Sequence, residues 1–207
     1  MMRLGILGSG SGTNFAAIAD AIAVGSVTGV EIACVLSDVE NAGILEKARV
    51  RGIPAAFLPA DDFKTKLDGP QEQAYITALN DAGVESIALA GFMRMIKRGL
   101  LDAFPHRIVN IHPSLLPAFP GLHSWEQALE YGAKVTGCTV HFVDPGMDTG
   151  PIIRQAAVPV EDDDTPVTLH ARIQEQEHRI YPEVIQDLAR GILAVDGRRV
   201  IHRQPSP

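Results

Sequence analysis

Strand-like and helix-like segments alternate along the first half of this chain, and no other feature limits its possible folds as strongly. Apolar, β-rich segments are separated by segments whose apolar residues recur at helical spacing. The strand-like segments are 3–8, 30–37, 53–58 and 84–92, and the helical ones between them are 14–25, 42–52 and 71–83. Strands joined through helices pair in parallel, and the helices cover both faces of the sheet. The order therefore predicts an α/β fold with a mostly parallel central sheet.

The second half follows a different pattern. Its predicted elements are strands at 106–111, 134–143 and 150–160, a short helix at 123–132 and a long helix at 165–191. Only a turn separates the last two strands, and strands joined in this way run antiparallel. Pro182 should kink the long helix, and the polar residues 200–207 should fray. The sheet is therefore expected to end in an antiparallel C-terminal excursion.

The charge balance argues against a nucleic-acid partner. The chain has 207 residues and a formal net charge of -7, and no cluster of Lys or Arg offers a basic surface. No apolar run approaches the roughly 20 residues that cross a membrane, and the N-terminus lacks the apolar core of a signal peptide. We therefore expect a cytoplasmic protein that binds small molecules. The sequence leaves the oligomeric state open, a homodimer included.

The two cysteines, Cys34 and Cys138, both fall in predicted buried strands. Two cysteines of this kind do not indicate a disulfide framework. Free cysteine is among the residue types most often buried, so both are expected to be small core side chains.

A glycine-rich segment, LGSGSGTN at 7–14, lies between the first strand and the first helix. Glycines let the backbone approach a ligand closely, and N–H groups at a helix N-terminus attract phosphate. No Gly-Lys-Ser/Thr follows, so it is no P-loop, and Thr13 stands where a dinucleotide fingerprint has its third glycine. Asp38 at the end of the second strand nevertheless suits a ribose contact. A mononucleotide-type phosphate, a turn without ligand and a dinucleotide remain as alternatives.

Asn110 and His112 end the fifth predicted strand and begin the segment NIHPSLLPAFPG at 110–121. In doubly wound sheets, ligands bind beyond the carboxyl ends of the strands. Pro113 and Pro117 would stiffen the loop behind the two polar residues. A single histidine is more often a satisfied surface or core residue, but the Asn-x-His pair at a strand end before a rigid loop favours a functional site.

A turn rich in glycine and proline, VDPGMDTGP at 143–151, carries Asp144 and Asp148. The simpler interpretation is an Asx turn. The alternative is a carboxylate that approaches His112 and favours its charged form. A metal site built from His112, His123 and Asp148 has no support in the spacing of these residues.

Gln174 and Glu177 are three residues apart on the long predicted helix, so they share one face of it. A solvated polar face is the simplest interpretation, and an exposed Glu177 could be replaced with little effect on stability. The apolar face beside them does not exclude that the two residues line a cleft.

Five segments resemble, in order and spacing, the phosphoribosylglycinamide formyltransferase family. They are GSGSGTN, LAGFMRMI, NIHPSLLPAFPGLH, HFVDPGMDTGPI and QEQEHRIYP, and the resemblance runs from about residue 3 to about residue 190. The Asn-x-His-Pro-Ser-Leu-Leu-Pro segment with the later Asp marks the formyltransferase superfamily, and the glycine loop and the QEQEH helix narrow it to this family. The resemblance implies a Rossmann-like formyltransferase fold in a single domain, 1–207. The half at 1–105 would bind the nucleotide phosphate, and the half at 106–207 would be catalytic and bind folate.

The same resemblance implies the reaction and its residues. The formyl group of the co-substrate 10-formyltetrahydrofolate would pass to the amine of glycinamide ribonucleotide in purine synthesis, without a metal. Asn110, His112 and Asp148 match the catalytic trio of the family. The matches to the ribonucleotide site are Gly12, Thr13, Asn14, Gln174 and Glu177. The matches to the folate site are Met93, Arg94, Met95, Ile96, Asn110, Val143, Asp144 and Asp148.

One position departs from the family. A basic residue often precedes the third helix and helps hold the glutamate tail of the folate, but Asp68 stands there in this chain. Lys64 or Lys66 could substitute for it, so the contacts of the tail stay open.

Four other functions share parts of this pattern. Methionyl-tRNA formyltransferase carries an additional C-terminal domain that helps bind tRNA, for which this chain is too short and too acidic. Formyltetrahydrofolate deformylase, which transfers the formyl group to water, usually has an N-terminal regulatory region. A binding module without catalysis would need the phosphate loop but not the pairing of His112 with Asp148. A pyridine-nucleotide dehydrogenase would need Asp38 on a ribose.

Overall fold

A computed structural model describes residues 1–60 and 65–203, and these residues form nine strands and six helices. The first part consists of β1 (Met2–Leu7), α1 (Thr13–Ala23), β2 (Val30–Ser37), α2 (Gly43–Val50), β3 (Ala55–Phe57), α3 (Gly69–Asp81), β4 (Ser86–Leu89), α4 (Arg98–Ala103) and β5 (Ile108–His112). The second part consists of α5 (Ser124–Tyr131), β6 (Val135–Phe142), β7 (Ile152–Pro159), α6 (Pro166–Ala189), β8 (Leu193–Asp196) and β9 (Arg199–His202). None of the helices in the described ranges combines the length and the apolar character that a membrane span requires.

All nine of these strands belong to one sheet, in the order β3-β2-β1-β4-β5-β6-β7-β9-β8. The first five strands in this order, from β3 to β5, run parallel to one another. β6 runs antiparallel to β5, and β7 runs antiparallel to β6. The predicted mostly parallel sheet with an antiparallel C-terminal excursion is therefore confirmed. The carboxyl ends of β1, β2, β4 and β5 meet at one edge, which is where ligands bind in such sheets.

Hydrophobic side chains on the two faces of the sheet form two separate clusters. Along β4 and the residue after it, Ala88 and Ala90 join the cluster that includes residues of α1, α2 and α6. Ile87 and Leu89 join the cluster that includes residues of α3 and α4. Side chains that alternate along a strand point to opposite faces, so helices cover both faces of the sheet, as predicted.

The long helix α6 is anchored to the strands that carry the site. The hydroxyl of the fully buried Tyr181 lies 2.9 Å from the carbonyl oxygen of Leu89 and 3.1 Å from that of Val109. These carbonyls belong to β4 and β5. The helix continues through Pro182 as one element of 24 residues. Its polar face is thereby fixed near the carboxyl ends of the parallel strands.

Cys34 and Cys138 are buried and free, as the sequence predicted. Burial raises the pKa of the Cys34 thiol to about 11 and that of the Cys138 thiol to about 12. Both thiols are therefore protonated near neutral pH and serve as core side chains.

Two parts of the fold differ from the sequence-based expectation. The short helix α4 was missed, because its start is fixed from a distance: the buried carboxylate of Glu72 accepts the N–H of Leu100 at 3.0 Å. The expected fraying of 200–207 is wrong for Val200–His202, which lie in β9. β9 pairs with β8 across a turn at Gly197, whose φ is 59°, and with β7 at Ile152. Residues 204–207 lie outside the described residues.

Candidate active site

Polar side chains gather where the parallel strands end. Ser9 follows β1 closely, Asp38 follows β2 directly, and Asn110 and His112 lie near the end of β5. β6 adds His141, which is paired with Asn110 across the antiparallel ladder. Residues from distant parts of the sequence thus meet at the edge of the sheet where ligands are expected.

His112 is buried between two oxygen atoms from different loops, and 5% of its surface is exposed. Its Nε2 lies 2.9 Å from the carbonyl oxygen of Phe119. A carbonyl only accepts hydrogen bonds, so Nε2 carries a proton and donates. Its Nδ1 lies 3.4 Å from Oδ2 of Asp148. The structure thus places Asp148 beside His112, which is the alternative to the Asx turn that the sequence left open.

Asp148 is held in place by the turn that follows β6. Its backbone has a positive φ of 55°, and its Oδ2 accepts the N–H of Gly121 at 2.8 Å. Its Oδ1 lies 3.9 Å from Nε2 of His141. Two residues further on, a side chain at Gly150 would collide with the carbonyl group of Phe142. The glycine therefore lets the turn come close to β6, which brings Asp148 to both histidines.

His141 was not predicted as a site residue, yet it orients Asn110. Its Nδ1 lies 2.8 Å from the carbonyl oxygen of Phe142, so Nδ1 carries a proton. Burial lowers the pKa of His141, so the ring is neutral near pH 7 and its Nε2 accepts. Nδ2 of Asn110 lies 3.3 Å from that Nε2. An amide nitrogen has two hydrogens, so one remains for a further acceptor. This contact depends on the antiparallel pairing of β5 with β6, which the sequence did not predict.

Asp144 shapes the turn rather than extending from it. Its Oδ1 accepts the N–H of Gly146 at 3.1 Å and the hydroxyl of Thr149 at 2.6 Å. This is the Asx turn of the simpler interpretation. The preceding Val143 donates its N–H to the carbonyl of Ile108 at 2.9 Å. Of these two predicted folate residues, Val143 thus lies beside β5, whereas the side chain of Asp144 is bound within the loop itself.

The glycine loop leads into α1, whose start has no side-chain cap among the described residues. Gly12 caps the start of α1 with a φ of 75°, and a side chain there would collide with Ile44 of α2. The first turn of α1 starts at Thr13. Nζ of Lys47 donates to the carbonyl of Ser11 at 2.7 Å, so α2 adds a cation that the sequence analysis missed. Uncapped N–H groups and a lysine together favour a phosphate.

Glu177 is buried against the start of α1, which corrects the expectation of an exposed face. It is 4% exposed, and its Oε2 accepts from Nδ2 of Asn14 at 2.9 Å. Burial raises the pKa of Glu177, and the hydrogen bond from Asn14 opposes this effect. Oδ1 of Asn14 is buried and finds no hydrogen-bond partner among the described residues. A buried acceptor without a partner is uncommon and fits a donor group of a ligand.

Gln174 lies one helical turn before Glu177 and borders a groove with an aromatic wall. Nε2 of Gln174 lies 3.4 Å from Nε2 of His170. The His170 ring stacks on Trp125, with centroids 3.8 Å apart and planes at 5°. Burial, with a smaller effect of the nearby His123, lowers the pKa of His170. His170 and Trp125 were not predicted as site residues, and their meeting depends on the packing of α5 against α6.

The segment 91–96 lies next to the glycine loop, at the end of β4. Met93 is 57% exposed, whereas Ile96 is buried in the core at 3%. The backbone of Met95 is engaged by 65–67, since its N–H donates to the carbonyl of Thr65 and its carbonyl accepts from Leu67. Of the predicted folate residues in this segment, Met93 is therefore the most open to a ligand, and Ile96 serves the core.

Asp38 makes internal contacts at the position where a dinucleotide ribose would need it. Its side chain is 3% exposed, and its Oδ2 accepts from Nε of Arg94 at 2.7 Å. Its Oδ1 accepts from the hydroxyl of Ser9 at 2.5 Å. Both carboxylate oxygens are thus bound by the protein, and the dinucleotide alternative loses its main support.

The position expected to hold the folate tail carries an ion pair. Nζ of Lys66 lies 2.7 Å from Oδ2 of Asp68. Oδ1 of Asp68 accepts the N–H of Gly69 and begins α3. Lys64, the other candidate, lies outside the described residues. A lysine paired with a carboxylate therefore stands at this position.

The described residues give no support to the metal site weighed from the sequence. Within 1–60 and 65–203, no group of three or more His, Cys, Asp or Glu side chains is arranged to hold a metal ion. His112 and Asp148 are together, but Nδ1 of His123 lies 3.4 Å from Glu126 of its own helix.

Comparison with known proteins places this arrangement in a family. A family model described as Formyl transferase matches residues 2–185. Phosphoribosylglycinamide formyltransferase of Bacillus subtilis (strain 168) is 43% identical over 188 residues, which cover 91% of this chain and 95% of that protein. The protein of the same name from Escherichia coli (strain K12) is 39% identical over 201 residues, covering 97% of this chain and 91% of that protein.

A solved structure agrees with the sequence comparisons over almost the same length. The crystal structure of glycinamide ribonucleotide transformylase 1 from Symbiobacterium toebii has a TM-score of 0.94 and 48% sequence identity, and the match covers 99% of this chain and 95% of that one. Because the family model spans most of the chain and the relatives match along nearly their whole length, this chain belongs to the formyl transferase family.

Proposed function

We propose that this chain transfers the formyl group of 10-formyltetrahydrofolate to the amine of 5'-phosphoribosylglycinamide, forming formylglycinamide ribonucleotide and tetrahydrofolate. The reaction is a cytoplasmic step of de novo purine synthesis. The observation that carries the proposal is that the glycine loop, Asn110 and His112 lie at the same carboxyl edge of the parallel strands, with Asp148 beside His112. The relatives named above bear the name of the same activity over nearly the full length of the chain.

Asn110 and His112 are proposed to stabilise the charge that develops during transfer. The amine attacks the formyl carbon, and the carbonyl oxygen becomes an oxyanion. Hydrogen-bond donors aimed at such an oxygen are each worth roughly 10²–10³ in rate. Nδ2 of Asn110 is oriented by His141 and retains one hydrogen for this purpose. Nε2 of His112 donates to Phe119 in the structure. We propose that the loop carrying Phe119 shifts when substrate binds, so that this hydrogen bond breaks and Nε2 of His112 can donate to the oxyanion instead.

Asp148 is proposed to transfer the proton that the reaction moves from the attacking nitrogen to the leaving nitrogen. The new C–N bond leaves a proton on the attacking nitrogen, and the C–N bond to folate breaks only as the leaving nitrogen gains one. A positioned acid or base contributes roughly 10²–10⁴ to such a step. Asp148 lies 3.4 Å from Nδ1 of His112 and is itself fixed by the N–H of Gly121. It can therefore accept the proton from the attacking nitrogen and pass it to the folate nitrogen as that nitrogen leaves.

Each half of the chain is proposed to supply part of one substrate site, which residues of the other half complete. In 1–105, Gly12, Thr13 and Asn14 would bind the phosphate end of the ribonucleotide through backbone N–H groups. Gln174 and Glu177 of α6 would complete that site, and the unpartnered Oδ1 of Asn14 supports a ligand there. In 106–207, the turn at 143–148 would hold the folate against β5.

The folate site is proposed to include part of the first half as well. Met93, Arg94, Met95 and Ile96 would border the pterin, with Met93 the most exposed of them. Val143 and Asp144 would meet it from the opposite side, together with Asn110 and Asp148. Because Asp68 and Lys66 form an ion pair, the glutamate tail would meet a lysine with a neutralising partner.

A transfer assay tests this function directly. The purified chain is mixed with 10-formyltetrahydrofolate, and release of tetrahydrofolate is followed with and without glycinamide ribonucleotide. We expect product only when the ribonucleotide is present. Equal release without it would identify transfer to water, as in a deformylase, and no release in either mixture would refute both activities. His112→Ala serves as the inactive control.

A further inference from the structure

We propose that Asp38 is a positioning residue that fastens the glycine loop to the segment 91–96, and thereby sets the distance between the two substrates. This inference rests on the proposed function, because it assigns the ribonucleotide to the glycine loop and the folate to the segment 91–96. Asp38 itself contacts neither substrate. Its carboxylate joins the ends of three neighbouring strands, β2, β1 and β4.

The contacts form a continuous chain across these strand ends. The backbone N–H of Met93 donates to the hydroxyl of Ser9 at 2.9 Å. The same hydroxyl donates to Oδ1 of Asp38 at 2.5 Å, and Nε of Arg94 donates to Oδ2 at 2.7 Å. The N–H of Ser9 also donates to the carbonyl of Gly91 at 3.0 Å. Ser9 is therefore the point at which the loop meets the segment, and Asp38 decides how its side chain is turned.

The direction of each hydrogen bond explains why a carboxylate is needed. A hydroxyl has one hydrogen, so once Ser9 donates to Asp38, its lone pairs are turned toward the N–H of Met93. The second carboxylate oxygen holds Arg94. Both partners donate to position 38. An asparagine has the same shape but only one acceptor oxygen, so its NH₂ group must face either Ser9 or Arg94. Toward Arg94 it meets another donor, and toward Ser9 it reverses the hydrogen bond, so the hydroxyl no longer donates to position 38 and its orientation toward Met93 is no longer fixed.

Burial makes these contacts selective. The Asp38 side chain is 3% exposed and that of Arg94 is 14% exposed, so water cannot readily replace a lost partner. When one contact breaks, the most direct relaxation is a shift of the loop or of the segment 91–96. Misplacement of reacting groups by about 1 Å can cost about 10²-fold in rate. The expected loss therefore falls on the transfer step rather than on the binding of one substrate alone.

A matched variant separates positioning from general stability. Asp187 resembles Asp38: the whole residue is 8% exposed against 7%, its side chain is 12% exposed against 3%, and its Oδ2 lies 2.7 Å from a nitrogen of Arg154. It lies on α6, facing β7, and belongs to no part of the proposed site. Asp38→Asn and Asp187→Asn therefore make the same chemical change in similar surroundings, at the site and away from it.

The experiment compares wild type, Asp38→Asn, Asp187→Asn, Ser9→Ala and the double variant Ser9→Ala/Asp38→Asn. We measure kcat, the KM of each substrate and Tm. We expect kcat of Asp38→Asn to fall by about 10- to 100-fold, with either KM changed by less than about threefold, and kcat of Asp187→Asn to stay near wild type even where Tm falls. Once Ser9 is alanine, Asp38→Asn should cost clearly less, because the two residues act as a unit.

Three results would overturn the inference. The first is a kcat of Asp38→Asn within about threefold of wild type, and the second is an equal loss in Asp187→Asn. The third is full additivity in the double variant. If Asp38→Asn does not fold, Ser9→Ala alone decides, since it removes the same bridge without touching the carboxylate. An inactive wild type would overturn the proposed function and this inference together, whereas an active wild type with unaffected variants would count only against the role of Asp38.

Discussion

Replacement of Glu177 tests whether its carboxylate is desolvated in the folded protein and whether it binds the ribonucleotide. Glu177 is 4% exposed, and Nδ2 of Asn14 donates to it at 2.9 Å. Glu177→Ala leaves that buried amide without an acceptor, which costs about 1–3 kcal/mol. For a chain of this size, 1 kcal/mol corresponds to about 2–4 °C, so Tm should fall by about 2–12 °C. Glu177→Gln keeps the volume and an acceptor oxygen and should avoid this loss.

The pH dependence adds a second, independent test. Burial raises the pKa of Glu177 above its ordinary value of 4.5. A group whose pKa is raised by folding contributes stability that is fully present below the unfolded pKa and is lost as pH rises through the folded pKa. Wild type should therefore lose stability as pH rises from the unfolded to the folded pKa of Glu177, whereas Glu177→Gln, which does not titrate, should not. The Tm of Glu177→Gln minus that of wild type should accordingly grow as pH rises from 4 to 8.

Thermal melts and substrate kinetics together decide the outcome. Melts of wild type, Glu177→Gln and Glu177→Ala are recorded without ligand across this pH range. Glu177→Gln should raise the KM of the ribonucleotide about tenfold or more, because the ribonucleotide loses a hydrogen bond to the charged carboxylate. The KM of the folate should stay near wild type. If Glu177→Gln melts as low as Glu177→Ala, or if its advantage does not grow with pH, the account of a desolvated carboxylate is wrong.

Three further substitutions test other parts of the site. Asp148→Asn should lower kcat by a factor of about 10²–10⁴ with little change in Tm. An unchanged kcat would show that Asp148 has only a structural role in the turn. Gly12→Ala should raise the KM of the ribonucleotide, because a side chain at φ 75° would collide with Ile44 and shift the loop. An unchanged KM would show that the loop does not bind the phosphate. Met93→Trp should raise the KM of the folate and leave that of the ribonucleotide unchanged. The fold should tolerate the change because Met93 is 57% exposed, so an unaltered folate KM would show that the pterin binds elsewhere.

The local parts of the fold and the site could be predicted from sequence. β2 begins and ends where its β-rich segment does, at Val30–Ser37, and the parallel pairing of β1 to β5 follows from the helices between the strands. Asn110 and His112 could be placed at a strand end because the apolar run before them is continuous in the chain. The glycine loop before α1 could be identified for the same reason.

Other parts depended on contacts between segments far apart in the chain. Glu177 looked exposed from its own helix, because the residue that covers it, Asn14, is 163 positions away. His141 gains its role from the pairing of β6 with β5, and Asp38 from the order of β2, β1 and β4. The hairpin of β8 and β9 likewise depends on pairing with β7.

The sequence by itself therefore determined the order of strands and helices, the glycine loop and the polar end of β5. Periodicity and turn residues encode the hydrogen bonding and the burial of a segment relative to its own neighbours. Only the tertiary structure decided that Asp38 ties two loops together, that Glu177 is buried and that His141 orients Asn110. Each of these contacts joins side chains that the folded sheet brings within hydrogen-bonding distance, and no local pattern specifies which distant donor will meet which acceptor.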